Sequence, residues 1–257
     1  MRNLIQIVFK CLLVCLLFSW CVMLMSNETK NQMRSDLLKL LIGYQVNQEI
    51  LLPVHGQVEE VQEEPYRIYL YNTHQSEEYI DGVSIYEVTS LFAQMLRSEG
   101  FEVVFETADF HEVLSAQNKK YSQLYTISRA YLEQALIEHG PFDLIIDVHR
   151  DSASRSVSVV EHEGIEYARL MFVIGEKSEN ASKVREMSQT YSDKMNQVLS
   201  GIMREPFTRQ SEYNQGVAEK MLLLEVGSDQ NTSSEALRSL KILVEFLKRE
   251  GLSFDDF

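Results

Sequence analysis

Beyond residue 21 the chain contains no cysteine; Cys11, Cys15 and Cys21 all fall within its first 25 residues. The remainder therefore has no thiol for a disulfide, a cysteine-ligated metal or a thiolate nucleophile. Positive charge is also scarce. Lys and Arg number 24 against 38 Asp and Glu, the formal net charge is −14, and no long basic run occurs. Nucleic acid, whose phosphates require a positive surface, is excluded as a partner on that ground. No internal repeat is visible. A serine hydrolase is disfavoured, because no Gly-x-Ser-x-Gly turn surrounds Ser152, the serine closest to the most suggestive histidine.

What is present is a chain of 257 residues, 45% apolar and 24% charged, enough for one good core with an appended segment. Leu4 to Met25 is apolar apart from Gln6 and Lys10, and its length spans a bilayer if Lys10 snorkels. Arg2 and Lys10 assign the short N-terminal side to the cytoplasm, so the body is expected outside. No small-x-small cleavage site follows, which favours a retained single-pass anchor over a cleaved signal peptide. Leu37, Leu38, Leu41, Ile42 and Tyr44 then fall close to a helical stripe, and the acidic run from Gly56 to Pro65 lacks a core pattern. The expected organisation is a cytoplasmic tip and transmembrane anchor at 1–30, a stalk helix and acidic linker at 31–65, and an extracytoplasmic domain at 66–257.

Within that domain the patterning alternates. Arg67 to Tyr71 reads as a strand, Ser84 to Ser98 as a helix, Phe101 to Phe105 as a strand, and Tyr121 to Glu138 as a helix. A buried strand from Asp143 follows, bounded by Gly140-Pro141. Ser156 to Val160 and Tyr167 to Ile174 are expected to pair as a hairpin around Glu161-His-Glu-Gly164. Beyond it come a helix from about Ala181 to Leu199, a polar and aromatic loop at 202–219, a buried strand at Met221 to Val226, and a helix from Thr232 to Arg249 capped by Asn231 or Thr232. This order predicts an α/β fold with a mainly parallel or mixed central sheet and helices on both faces.

Three strand ends carry chemistry-bearing groups, and in open α/β sheets ligands bind at the carboxyl ends of strands. After the first strand comes His74-x-x-Glu77, a spacing that lets an imidazole and a carboxylate reach one cation if the residues between them turn; this donor pair suits zinc. His149, ending the central strand, would be the third ligand, leaving a fourth position open for water. Glu225 interrupts the apolar run Leu222 to Val226, where burial would raise its pKa into the range of a general base. A buried salt bridge to Arg150 is its structural alternative. Arg150 itself suits either a substrate carboxylate or an oxyanion, or else a salt bridge to Asp151 or Glu225. Tyr213-Asn-Gln215, in the long loop, is a candidate glycan or peptide contact. His111, His139 and His162 have no partner at metal spacing and read as surface or capping residues; His55 reads as a solvated linker residue.

The segments Asn72 to Tyr79, Ile146 to Ser152, Met171 to Gly175, Tyr213 to Gln215, and Leu224 to Gly227 followed by Asn231-Thr232 resemble, in order, those of the stage II sporulation protein P family. With Ser128-Arg129 in the helix before the central strand, the resemblance covers most of residues 67–240. It implies an amidase or zinc-carboxypeptidase-like fold and a membrane-anchored, zinc-dependent hydrolase of peptidoglycan. The implied reaction is cleavage of the amide between N-acetylmuramic acid and the L-alanine of the stem peptide. Some family members also cut peptide cross-links, so an endopeptidase on the same site is the alternative; a non-catalytic, membrane-tethered wall-binding scaffold is the other. Membrane or wall-hydrolase proteins are implied partners. Position by position, His74 and His149 match the family's motif histidines, Glu77 its acidic position, and Glu225 the glutamate before Val-Gly. Similar amidases of the wider superfamily take their metal glutamate from the start of the first helix, where Glu87 stands; Glu77 is the preferred ligand. The chain departs from the family pattern in its short region before the domain, its compact segment after Glu78, and Ser228 to Gln230 in place of a glycine-rich continuation.

Overall fold

The short apolar runs become strands of one sheet. The computed structural model describes residues 65–250; the expected anchor at 1–30, and the stalk and linker up to residue 64, lie outside them. Among the described residues no helix is long and apolar enough to cross a membrane. The elements are β1 (Arg67–Tyr71), α1 (Ile85–Ser98), β2 (Glu102–Phe105), α2 (Phe110–Ala116), α3 (Leu124–His139), β3 (Leu144–Asp151), α4 (Arg155–Ser158), β4 (Val159–His162), β5 (Ile165–Ala168), β6 (Leu170–Gly175), α5 (Ala181–Val198), β7 (Phe207–Arg209), β8 (Met221–Ser228) and α6 (Ser233–Glu250).

The six-stranded sheet has the order β2-β1-β3-β8-β6-β7. Strands β2, β1, β3 and β8 are parallel to their neighbours, whereas β6 runs antiparallel to β8. The sheet is therefore mixed, with β6 and its parallel neighbour β7 reversed relative to the other four strands. Helix α1 starts at a capping box in which Ser84 Oγ accepts from Glu87 N and the Glu87 carboxylate accepts from Ser84 N. Its buried residues Ile85, Val88, Leu91, Phe92 and Leu96 form the apolar stripe. Thr232 caps α6 in the same reciprocal way, through Glu235.

Two features differ from expectation. The hairpin pairs only β4 with β5; Ser156 to Ser158 wind into α4, and β6 leaves the hairpin to join the main sheet. All six residues of β6 are buried, and a run apolar on both sides is satisfied only with both faces covered. The second is α2, unforeseen because its seven residues bury only Phe110 and Leu114, too few to establish a period. Asp109 was its available signal, accepting from His111 N at 2.8 Å and Glu112 N at 2.9 Å.

The two sheet faces have different coverings. On one, Tyr69, Tyr71, Ile145 and Met221 pack with Phe110, Leu114, Leu124, Ile127 and Leu132 of α2 and α3. On the other, Phe172 meets Tyr191 of α5, which meets Phe246 of α6, with ring centroids 6.2 and 5.5 Å apart. Each such side chain removed from water contributes roughly 1.5–3 kcal/mol before entropy is subtracted.

Candidate functional site

Strand alternation builds the centre of the site. On β3, Ile146 and Val148 face the α1 side while Ile145, Asp147 and His149 face the α3 side. Register carries this across the sheet: Asp147 stands beside Leu223 and His149 beside Glu225, which in turn stands beside Met171. His149, Glu225 and Met171 thus form a row across three strands, each about 4.8 Å from the next strand.

His74 and Glu77 reach that row from the turn after β1. Glu77 N donates to His74 O at 3.2 Å, closing the turn. The Glu77 carboxylate is thereby brought back over β3, where Oε2 accepts from Arg150 N at 2.9 Å and lies 3.7 Å from His149 Nδ1. The His74 and His149 ring centroids are 5.3 Å apart, and His74 Nδ1 is 2.8 Å from the Tyr121 hydroxyl. The structure therefore brings together His74, Glu77, His149 and Glu225, all lining one cavity of about 440 Å³. Tyr125, Tyr213 and Phe207 supply aromatic walls, and Met171, Val173 and Leu223 an apolar floor.

Asp147 is the residue that sequence reasoning missed. It is wholly buried, accepts from Thr73 N at 2.9 Å and Thr73 Oγ1 at 2.7 Å, and lies 2.9 Å from His149 Nε2. One carboxylate thus fixes the residue before His74 and sets negative charge against His149. The available signal was its place two residues before a site histidine, which puts both on one face of the strand.

Negative charge surrounds His149. Burial would lower the His149 pKa, but Asp147 and then Glu77 outweigh it and hold the imidazole well above its ordinary value. His74 is lowered, first by burial and then by His149. Glu225 is pushed up to about 7, chiefly by burial, with the His149 charge opposing. Glu225 Oε2 and His149 Nε2 are both buried without a directed hydrogen-bond partner; the 2.9 Å approach of Asp147 to His149 is a contact of charge. Among the described residues no group of three His, Asp or Glu side chains is gathered tightly enough to hold an ion as placed. The donor set nonetheless suits zinc: two imidazoles and a nearby carboxylate, with Asp147 backing His149.

Other expected residues land elsewhere. Arg150 points away from the cavity because it follows His149 on the strand; its guanidinium donates to Asp151 O at 3.2 Å, and its backbone N–H holds Glu77. Neither expected salt bridge forms, since Asp151 pairs with Arg204 at 2.7 Å. Glu87 is engaged in the α1 capping box and does not line the cavity. In the loop at 202–219, Tyr213 faces the cavity and packs on Tyr125 at 5.5 Å. Its neighbours are ties: Asn214 donates to Ser128 Oγ at 3.0 Å, and Gln215 bonds Val173 O and Gly175 N at 2.8 and 2.7 Å. His111 is more than a surface residue, because it packs against Tyr121 at 5.8 Å and its Nε2 is buried.

The family model for stage II sporulation protein P (SpoIIP) matches residues 25–248. A stage II sporulation protein P of Bacillus subtilis (strain 168) is 27% identical over 191 residues, covering 67% of this chain and 48% of its own length. The chain thus spans about half the length of that relative. Among solved structures, the CwlD amidase from Clostridioides difficile, determined in complex with the GerS lipoprotein, matches with a TM-score of 0.50 at 13% identity, covering 74% of this chain and 100% of its own. An N-acetylmuramoyl-L-alanine amidase from Clostridium difficile 630 has a TM-score of 0.47 at 14% identity, covering 76% and 98%. At such identity the likeness concerns the fold, which is of the amidase type.

Proposed function

The chain belongs to the stage II sporulation protein P family, and from that premise we propose that its described domain is a zinc-dependent peptidoglycan hydrolase cleaving the amide between N-acetylmuramic acid and L-alanine. The observation that carries this reading is the convergence of His74, Glu77, His149 and the partnerless Glu225 on one cavity. His74, Glu77 and His149 would hold the metal. When bound, zinc supplies Lewis acidity toward the scissile carbonyl and acidifies water at its open position.

The chain's own residues do the rest. Glu225, poised near neutrality by burial, accepts the proton of the attacking water and returns it to the leaving nitrogen. Asp147 holds the two histidine-bearing strand ends in register. Arg150 acts through its backbone N–H, which orients Glu77. The aromatic walls exclude water and receive the peptide and sugar. The apolar segment at 4–25 acts as a single-pass anchor in the cell membrane with the domain outside, where membrane or wall-hydrolase proteins are its partners.

The test is product analysis by mass after purified peptidoglycan is incubated with the zinc-loaded chain. Free stem peptides ending in an intact L-alanine amine are expected. Cleaved cross-links with intact muramoyl amides would make the enzyme an endopeptidase. Unaltered wall that still binds the protein would make it a scaffold.

A further inference from the structure

The cavity's far wall is the edge strand β7, where Phe207 and Arg209 both line the opening and the Arg209 guanidinium lies 4.8 Å over the Phe207 ring. Residues two apart on a strand share a face, so the ring and the cation are presented together. A guanidinium stacked on a ring keeps its in-plane N–H groups available, which preserves its two-pronged donor geometry. Arg204, the cavity's other cation, is engaged by Asp151. Among the described residues Arg209 has no carboxylate within ion-pairing distance. That is notable in a chain with 38 acidic and 24 basic residues.

The cavity therefore has two distinct ends. The proposed metal ligands His74, Glu77 and His149, with Glu225, stand at one, and Arg209, on the sheet's edge strand, stands at the other. A ligand bearing an amide and a carboxylate is favoured in one orientation only. We propose that Arg209, braced on Phe207, is a specificity-determining residue that binds a carboxylate of the stem peptide and so sets which way round the substrate lies. This rests on the hydrolase reading for the identity of the substrate. It also reassigns to Arg209 the recognition that the sequence suggested for Arg150.

The test measures binding rather than turnover. In the full chain carrying Glu225→Gln, calorimetry compares a soluble disaccharide-peptide fragment of peptidoglycan with the same fragment whose carboxyls are converted to carboxamides. Adding Arg209→Gln should weaken binding of the free acid by about tenfold, the worth of one charge-assisted hydrogen-bonded pair, and of the carboxamide by less than about twofold. Arg209→Lys should recover part of the loss, keeping charge without the fork. Equal losses for both ligands, no loss, or no binding of the free acid by the Glu225→Gln protein would overturn the subsite. Should the unsubstituted chain leave peptidoglycan uncut while Arg209 still discriminates, the hydrolase reading fails and the subsite stands.

Discussion

The two faces of the sheet are made from the same strands, yet they have opposite uses. On β3 and β8, Ile146, Val148, Leu222 and Leu224 turn to the face covered by α1, α5 and α6 and are almost completely buried. Their immediate neighbours Asp147, His149 and Glu225 turn to the other side, where His149 and Glu225 line the cavity and Asp147 is buried against His149. Alternation lets one strand hold the fold with its even-numbered residues and do chemistry with its odd-numbered ones. The first face stabilises along its whole length; the second stabilises through Tyr69, Ile145 and Met221 and, toward the carboxyl ends of its strands, accepts the desolvation of buried charge.

Substitutions on the two faces should therefore separate stability from metal binding. His149→Ala has the largest expected effect, loss of bound zinc from the purified protein by elemental analysis, since it removes one of three proposed protein ligands. Leu224→Ala, on the apolar face, should keep its zinc but lose about 2–5 kcal/mol in denaturant unfolding. If the two variants lost zinc and stability alike, the distinction between the faces would collapse.

A pH series sharpens the contrast. In chelator-treated protein, Glu225 binds its proton more tightly when folded, at about 7 against the ordinary 4.5. The folded state then holds more protons than the unfolded between those values, so stability falls as pH rises from about 4.5 to 7, by up to about 3 kcal/mol. Glu225→Gln should remove that decline; a variant with the same slope would show that Glu225 is not the group responsible. The smallest effect belongs to Asp147→Asn. It should weaken zinc binding by about 10- to 100-fold with the fold retained, as for carboxylates that back metal ligands.

Much of this was legible in the sequence. The βαβαβ order, the mixed sheet and the helix at 84–98 follow from periodicity, the cap of the last helix at Thr232 from cap chemistry, and the His74-x-x-Glu77 turn from its spacing. What escaped was set by long-range packing. The pairing of β6 with β8 depends on a run buried on both faces, which local pattern assigns equally well to a hairpin arm. The orientation of Arg150 follows from alternation once β3 is known to extend to Asp151, three residues past Val148. Asp147 looked like an interruption until register placed Tyr71 beside it and Thr73 upon its oxygens. Arg209 lay in a three-residue strand too short to read.

The central claim, that Glu225 is the base of a zinc hydrolase, is tested most directly by the rate of stem-peptide release from purified peptidoglycan by Glu225→Gln loaded with zinc. A fall of roughly 10²- to 10⁴-fold from the unsubstituted chain, with zinc content unchanged, is the predicted result. Release at the unsubstituted rate would contradict it.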